Sequence, residues 1–204
     1  MNAERDAAMA AKIKAAQLEA ARGGWPEGAM CSLSTPRKTF WAWTVATFFG
    51  AGLGKPGPGT WGSCAATLLW AVPVLLLHPQ PLPLLLWTLL ASILSIAIGI
   101  PAATIAARES GRKDPGFVVV DEVAGQWITL LAIPIAQLIP WAAHARPDAG
   151  HILTALLLFR LFDITKPFPV RNLEKLPEGA GIVFDDVAAG LYAGTVLLVI
   201  SHWL

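Results

Sequence analysis

The sequence predicts an all-α fold: a polytopic membrane helix bundle of about five spans, with an active site at its cytoplasmic face. Three observations predict it. Hydrophobic residues make up 55% of the 204 residues and charged ones only 14%, where an ordinary soluble domain is nearer about a quarter charged. Apolar runs close to the roughly 20 residues that a spanning helix needs recur from residue 61 onward. The ionisable residues in or beside those runs gather at one end of them.

In chain order, residues 2–22 are rich in Ala, Lys, Glu and Arg, with Met9, Ile13 and Leu18 at helical spacing. They read as a short cytoplasmic helix ended by Gly23-Gly24. It belongs to an extension over residues 1–39, ahead of a membrane catalytic domain over 40–204. The first 35 residues hold no apolar core of signal-peptide type, so no cleaved signal is expected. Residues 40–49 are apolar but too short to span, and lie at the interface or dip in beside the glycine-rich loop that follows. The candidate spans are residues 61–77, 84–107, 117–143, 151–164 and 182–204. The first and fourth are short, so four spans are the alternative to five. Thr60 is placed to cap the first span.

Lys and Arg concentrate on the cytoplasmic side of membrane helices. With a cytoplasmic N-terminus, this topology puts 14 of the 15 Lys and Arg inside and only Arg146 outside. The expected orientation is therefore one with N-terminus and active site cytoplasmic. The nine Trp residues fit interfacial anchoring. A net charge of +1 says nothing about a nucleic-acid partner, and Cys31 and Cys64 make neither a disulfide framework nor a zinc site.

On this topology Asp121 and Glu122 open the third span, Arg160 and Asp163 close the fourth, and Asp185 and Asp186 open the fifth. Charges within membrane helices are costly and suggest function. Five converging carboxylates repel one another unless a cation sits among them. Hard oxygen ligands suit Mg²⁺, with Mn²⁺ and Ca²⁺ as alternatives, while Lys55, Arg160, Lys166 and Arg171 suit the anion that such a metal also holds. This combination points to metal-assisted hydrolysis of a lipid phosphate. The alternative for each acid singly is a helix cap or surface ion pair.

Two stretches echo each other: Val119-Val120-Asp121-Glu122-Val123-Ala124-Gly125 and Val183-Phe184-Asp185-Asp186-Val187-Ala188-Ala189-Gly190. Adjacent helical side chains diverge by about 100°, so at most one acid of each pair is expected to point straight at a common centre. The small residues that follow allow two helices to approach closely. The loop from Gly50 to Ser63 is the densest in glycine and runs into a helix, where free N–H groups can meet a phosphate. Thr60 and Lys55 are its candidate contacts, and a plain turn is the other reading. It is not a Walker loop, because Pro56 follows Lys55.

Rival chemistries lack their motifs. Cys31-Ser32-Leu33-Ser34-Thr35-Pro36-Arg37 has the spacing of a cysteine phosphatase loop but no glycine to wrap a phosphate. No Asp-x-Asp-x-Thr run occurs, and the four His fall on the side away from the acids. An ion-coupled transporter, the reading from another class, keeps its charges near the midplane. Here the acids lie within about two turns of the cytoplasmic end.

Four stretches carry a resemblance: Lys55-Pro-Gly-Pro-Gly-Thr-Trp-Gly-Ser63, Lys113-Asp-Pro-Gly-Phe-Val-Val-Val-Asp-Glu-Val-Ala-Gly-Gln-Trp127, Phe159-Arg-Leu-Phe-Asp-Ile-Thr-Lys-Pro-Phe-Pro-Val-Arg171, and residues 181–190 around Asp185-Asp186. In order and spacing they resemble the phosphatidylglycerophosphatase A family, from about Phe40 to the C-terminus. The resemblance implies an Mg²⁺-requiring enzyme of a bacterial inner membrane that removes the terminal phosphate of phosphatidylglycerophosphate to leave phosphatidylglycerol. Another lipid phosphate, such as phosphatidic acid, is the nearest alternative substrate. Asp121, Glu122, Asp163, Asp185 and Asp186 are then the metal-binding and catalytic candidates. Lys55, Thr60, Arg160, Lys166 and Arg171 are the phosphate-binding ones.

Overall fold

Three long helices frame the protein in its computed structural model, which describes residues 39–142, 146–168, 170–173 and 176–203. The helix expected over residues 2–22 and the Cys31–Arg37 stretch lie outside the described residues. Among the described residues there are helices and no strands. We number the α-helices α1 (Phe40–Ala46), α2 (Pro58–Leu77), α3 (Pro81–Ser110), α4 (Val120–Leu130), α5 (Ala132–Leu138), α6 (Ala149–Thr165), α7 (Val170–Leu173) and α8 (Glu178–Ile200). Of these, α2, α3 and α8 are long and apolar enough to cross a membrane. Their outward faces carry exposed Leu68, Leu69, Leu86, Leu90, Leu191 and Val199. An apolar surface this continuous is foreign to a soluble monomer, and it is what a lipid-facing helix requires.

Several helix bounds differ from the sequence reading, each for a local reason. Helix α2 begins at Pro58, whose fixed φ and missing N–H suit a first helical position. Its N-cap is Gly57 in the left-handed region, so Thr60 is not the cap; it is the third residue of the helix and is exposed. The run over 117–143 is broken at Leu131 into α4 and α5. Pro134 explains the break: its ring clashes with the carbonyl four residues earlier, that of Leu130. Helix α8 begins four residues before the expected start, at Glu178. Gly179 lets it: a Cβ there would meet the Ile100 carbonyl at 2.3 Å, and its N–H donates to Thr104 Oγ1 of α3 at 3.1 Å. Asp185 and Asp186 are therefore eighth and ninth in their helix, two turns in, and not at its opening.

Helix α4 is the hub, touching α2, α3, α6 and α8. One core lies around its start, where small residues Ala102, Ala103 and Ala106 of α3 pack on Val120 and Ala124, with Ile182 and Val183 of α8. A second core lies past its end, built from Trp70 and Val74 of α2, Leu84 of α3, Leu130, Ile133 and Leu197. Buried Trp70 finds a partner for its N–H in Thr88 Oγ1 at 2.9 Å, tying α2 to α3. Helix α6 starts on an Asp148 cap that accepts the His151 backbone N–H at 2.9 Å. Helix α1 lies along the start of α4: the Val119 N–H donates to the Ala46 carbonyl at 2.8 Å, and Trp43 stacks on Phe117 at 4.7 Å. Past α1 the chain dips against α4 far enough for the Phe48 ring to meet that of Trp127 at 6.2 Å.

The tightest crossing joins α4 to α8. A Cβ on Gly190 would sit 2.3 Å from the Gly125 carbonyl oxygen, and one on Gly125 would sit 2.5 Å from the Asp186 carbonyl oxygen. Neither obstacle is a side-chain end that can move aside. Gly190→Leu is expected to cost about 3 kcal/mol or more, lowering the melting temperature in detergent by about 6–12 °C. Gly116→Ala, which meets nothing within 4 Å, is expected to leave it unchanged. A scan of thermal unfolding in detergent checks both.

Candidate active site

The crossing of α4 and α8 decides which acids meet. Asp121 precedes Gly125 by four residues, and Asp186 precedes Gly190 by four. Residues four apart share a helix face. With the two glycines in backbone contact, the two aspartates one turn before them are directed to a common place. They line a cavity of about 150 Å³ together with Glu122, Asp163, Asp185 and Lys166. All five acids singled out in the sequence thus come together, from α4, α6 and α8.

The second pair divides as the roughly 100° divergence of neighbouring side chains predicts, with Asp186 in the tightest cluster of acids and Asp185 turned to Lys166, whereas both acids of the first pair reach that cluster. The cavity sits between three helices, so a carboxylate need not point along a single direction to reach it. Oxygens of Asp121, Glu122 and Asp186 lie within 4.8 Å of one another. The extra methylene of Glu122 carries its carboxylate around to the side on which α2 begins: a Cβ on Gly59 would lie 2.1 Å from Glu122 Oε1 and 3.2 Å from Arg160 Nη1.

The charges do not cancel. Arg160 Nη1 pairs with Asp163 Oδ2 at 2.6 Å, and Lys166 Nζ pairs with Asp185 Oδ2 at 2.6 Å. Asp185 also accepts the Asp186 backbone N–H at 3.0 Å. The remaining three acids, Asp121, Glu122 and Asp186, make no ion pair among the described residues. If all five are ionised, two cations leave three negative charges uncompensated in a largely buried site. Asp121 Oδ1 and Glu122 Oε2 are, besides, buried oxygens that no protein group hydrogen-bonds. Buried polar atoms of this kind ordinarily have a partner, and clustered carboxylate oxygens are the donor set of a hard divalent cation. The residues present therefore fit a hard divalent cation such as Mg²⁺, which Asp121, Glu122 and Asp186 would hold.

The phosphate-binding candidates divide. Arg160 and Lys166 stand at the acids. Lys55 and Thr60 are exposed on the loop and first turn of α2, and Arg171 is exposed on α7; none of these three lines the cavity. The structure adds residues that the sequence reading left out of the site. Asp114 and Gly116 line the cavity. Both belong to the Lys113–Trp127 stretch, and Asp114 is in addition an acid just ahead of the third apolar run, on the same side as the other acids. Ser63 Oγ lies 3.5 Å from Arg160 Nη1. Gln126 follows Glu122 by one turn and is fully buried, with neither amide atom hydrogen-bonded by the protein.

Comparison with known proteins bears on this site. The family model described as Phosphatidylglycerophosphatase A matches residues 44–201. A Haemophilus influenzae protein named Phosphatidylglycerophosphatase A is 40% identical over 161 residues, covering 78% of this chain and 88% of its own. An Escherichia coli K12 protein of the same name is 35% identical over 159 residues, covering 78% and 82%. A Bacteroides thetaiotaomicron protein, provisionally named phosphatidylinositol-3-phosphatase, is 34% identical over 168 residues, covering 82% and 98%. No solved structure matches the chain.

The contact at Gly59 generates a prediction. The obstacle to a Cβ there is the tip of Glu122, a flexible side chain, so Gly59→Ala has a cheap escape that moves the carboxylate away. We expect the melting temperature to stay within about 3 °C of the parent, a change of about 1 kcal/mol. Turnover is expected to fall about tenfold or more, equivalent to about 1.4 kcal/mol of barrier. Paired unfolding and rate measurements check it; a rate that follows stability in both directions would remove Gly59 from the site.

Proposed function

The chain belongs to the phosphatidylglycerophosphatase A family, and we propose on that premise that it hydrolyses the terminal phosphate of phosphatidylglycerophosphate, giving phosphatidylglycerol and inorganic phosphate. The observation that carries this reading is the cavity lined by six carboxylates and Lys166, with Arg160 paired to one of those carboxylates, Asp163. Acids in excess, with two basic side chains held among them, suit a site for a metal ion and a phosphate together.

In this reading Mg²⁺ is held by Asp121, Glu122 and Asp186. When bound, it neutralises phosphate oxygens and lowers the pKa of a coordinated water. The protein's own residues do the rest. Asp163 and Asp185 orient Arg160 and Lys166 through their ion pairs, and the two cations bind the phosphate oxygens, Arg160 with its planar fork. A carboxylate left free of metal takes the proton of the attacking water. Hydrolysis breaks the bond between phosphorus and the glycerol oxygen, and that oxygen leaves with a proton. Lys55, Thr60 and Arg171, outside the cavity, attract the doubly phosphorylated headgroup at the surface.

The site faces the cytoplasm in this reading, and the chain crosses the inner membrane about five times. The distribution of Lys and Arg supports the orientation. Two shorter elements supply the further spans. Helices α4 and α5 together run from Val120 to Leu138, about 28 Å, and the 17 residues of α6 run about 25 Å. Both approach the roughly 30 Å of a hydrocarbon core.

The name of the Bacteroides relative favours a second reading, in which the headgroup is a phosphoinositide. The test is phosphate release by the purified protein in mixed micelles, with and without Mg²⁺, from phosphatidylglycerophosphate, phosphatidylinositol 3-phosphate and phosphatidic acid. We expect Mg²⁺-dependent release that prefers phosphatidylglycerophosphate by about tenfold or more, the discrimination a few lost polar contacts produce. A preference for phosphatidylinositol 3-phosphate would transfer the assignment to the second reading. No release from any lipid by a folded, Mg²⁺-supplied sample would refute the phosphatase reading.

A further inference from the structure

Beside the acids runs a second concavity of opposite character. It is a groove of about 300 Å³ between α3 and α4, lined almost wholly by apolar groups. On α3 it is formed by Ala91, Leu94, Ser95 and Ile98, a helical stripe; on α4 by Val120, Val123 and Trp127, another. The two helices run antiparallel, with Gly99 of α3 against Val120 of α4. Each stripe runs over eight residues, seven rises of about 1.5 Å, so the groove is about 10 Å long, about a third of a hydrocarbon core. Its flank on α3 continues into Leu90, Ile93 and Leu94, exposed on the face that a lipid covers.

Two features give this groove an occupant. The first is continuity with the acids. Val120 lines one end of the groove and its chain neighbour Asp121 lines the acidic cavity, so that end lies one residue along α4 from the acids and the other, at Trp127, lies about two turns further on. The second is its third wall. Phe48 and Phe49 are consecutive non-glycine residues in the left-handed region, at φ 43° and 55°, a conformation aromatic residues rarely adopt. It is held in place by the Phe49 N–H on the Thr44 carbonyl at 2.8 Å and the Gly50 N–H on the Thr47 carbonyl at 3.1 Å. The turn brings both rings to the groove, with Phe48 against Trp127 and Phe49 left 78% exposed. Strained backbone that the surroundings enforce is a mark of functional sites. An apolar channel that begins at a phosphate-handling centre and runs into the bilayer matches one chemical feature of a phospholipid, its hydrocarbon tail.

We propose that the groove between α3 and α4, walled by Phe48 and Phe49, holds an acyl chain of the lipid whose phosphate is hydrolysed at Asp121 and its neighbours. This rests on the phosphatase reading above and deepens it. The groove fixes the lipid by its tail, and the headgroup reaches the acids from Val120's end. Chain length is then read by the protein, in addition to headgroup.

The experiment compares kcat/KM for dioleoyl and dihexanoyl phosphatidylglycerophosphate in one detergent with Mg²⁺, and takes their ratio, from which any loss of active protein cancels. Ser95→Phe fills the groove at mid-length, and Ala91→Leu is a milder filling near its far end. Ala97→Phe adds the same bulk to an exposed position of α3 outside the groove. The long-to-short ratio is expected to fall about fivefold or more in Ser95→Phe and about threefold in Ala91→Leu, and to hold in Ala97→Phe. A parent-like ratio in both filled variants, from a parent protein active on the long-chain lipid, would overturn the groove as an acyl site and leave the phosphatase reading intact. So would an equal fall in Ala97→Phe, which would attribute the effect to α3 at large. A parent protein inactive on both lipids would overturn the phosphatase reading itself, and the groove proposal with it.

Discussion

Backbone contact between two glycines is the constraint on which the site depends. Gly125 and Gly190 let α4 and α8 touch where any side chain would force them apart. Small residues at such crossings are the general way helices pack closely in lipid, where no hydrophobic force separates helix from solvent. Here the crossing has a second consequence. It sits one turn beyond Asp121 and Asp186, so closeness of the backbones becomes closeness of carboxylates. Thr129 reinforces the crossing by donating to the Gly125 carbonyl at 3.0 Å and lying 3.3 Å from that of Gly190. Helix α6 then docks through Phe159, fully buried against Ala189 and Ala193, which brings Asp163 to the same cavity with Arg160 paired to it.

The electrostatics follow from that geometry. Bringing five acids together in a largely buried place costs free energy that ordinary packing does not return. The protein meets two of the five charges with its own cations, Arg160 and Lys166. It leaves three unmet, and these are the three whose oxygens cluster most tightly. A folded state with that imbalance is stabilised by whatever cation binds it. The ion pairs therefore divide the acids in two: Asp163 and Asp185 each hold a basic side chain, and Asp121, Glu122 and Asp186 are the ones a cation would compensate.

Much of this was legible before any coordinates. The acids stand out because charge is rare in this chain, and the repeated pattern of two acids followed by small residues marks both the site and the crossing. What the sequence concealed has physical reasons. Pro134 breaks a helix at Leu131, because proline acts on the turn before it, and an apolar run of uniform character does not announce the break. Helix α8 starts early because Gly179 packs on α3, a tertiary contact with no local signal. Thr60 looked like a cap, but Pro58 with Gly57 behind it opens the helix sooner. Both Asp121 and Glu122 reach the cluster because the longer Glu122 side chain compensates for its direction, which helical periodicity alone does not convey. Gly59 matters for what lies across from it, and Phe48 for a left-handed turn that no aromatic residue advertises.

The central claim is that Asp121, Glu122 and Asp186 hold a divalent cation while Asp163 and Asp185 hold the basic side chains. The measurement that tests it most directly is Mn²⁺ binding to the detergent-purified protein, read from the electron paramagnetic resonance of free Mn²⁺ and competed with Mg²⁺. We predict saturable binding displaced by Mg²⁺, weakened about tenfold or more by Asp121→Asn or Asp186→Asn, as loss of a ligand does, and much less by Asp163→Asn. Binding lost equally in all three variants, or untouched by Asp121→Asn and Asp186→Asn in folded protein, would contradict the account.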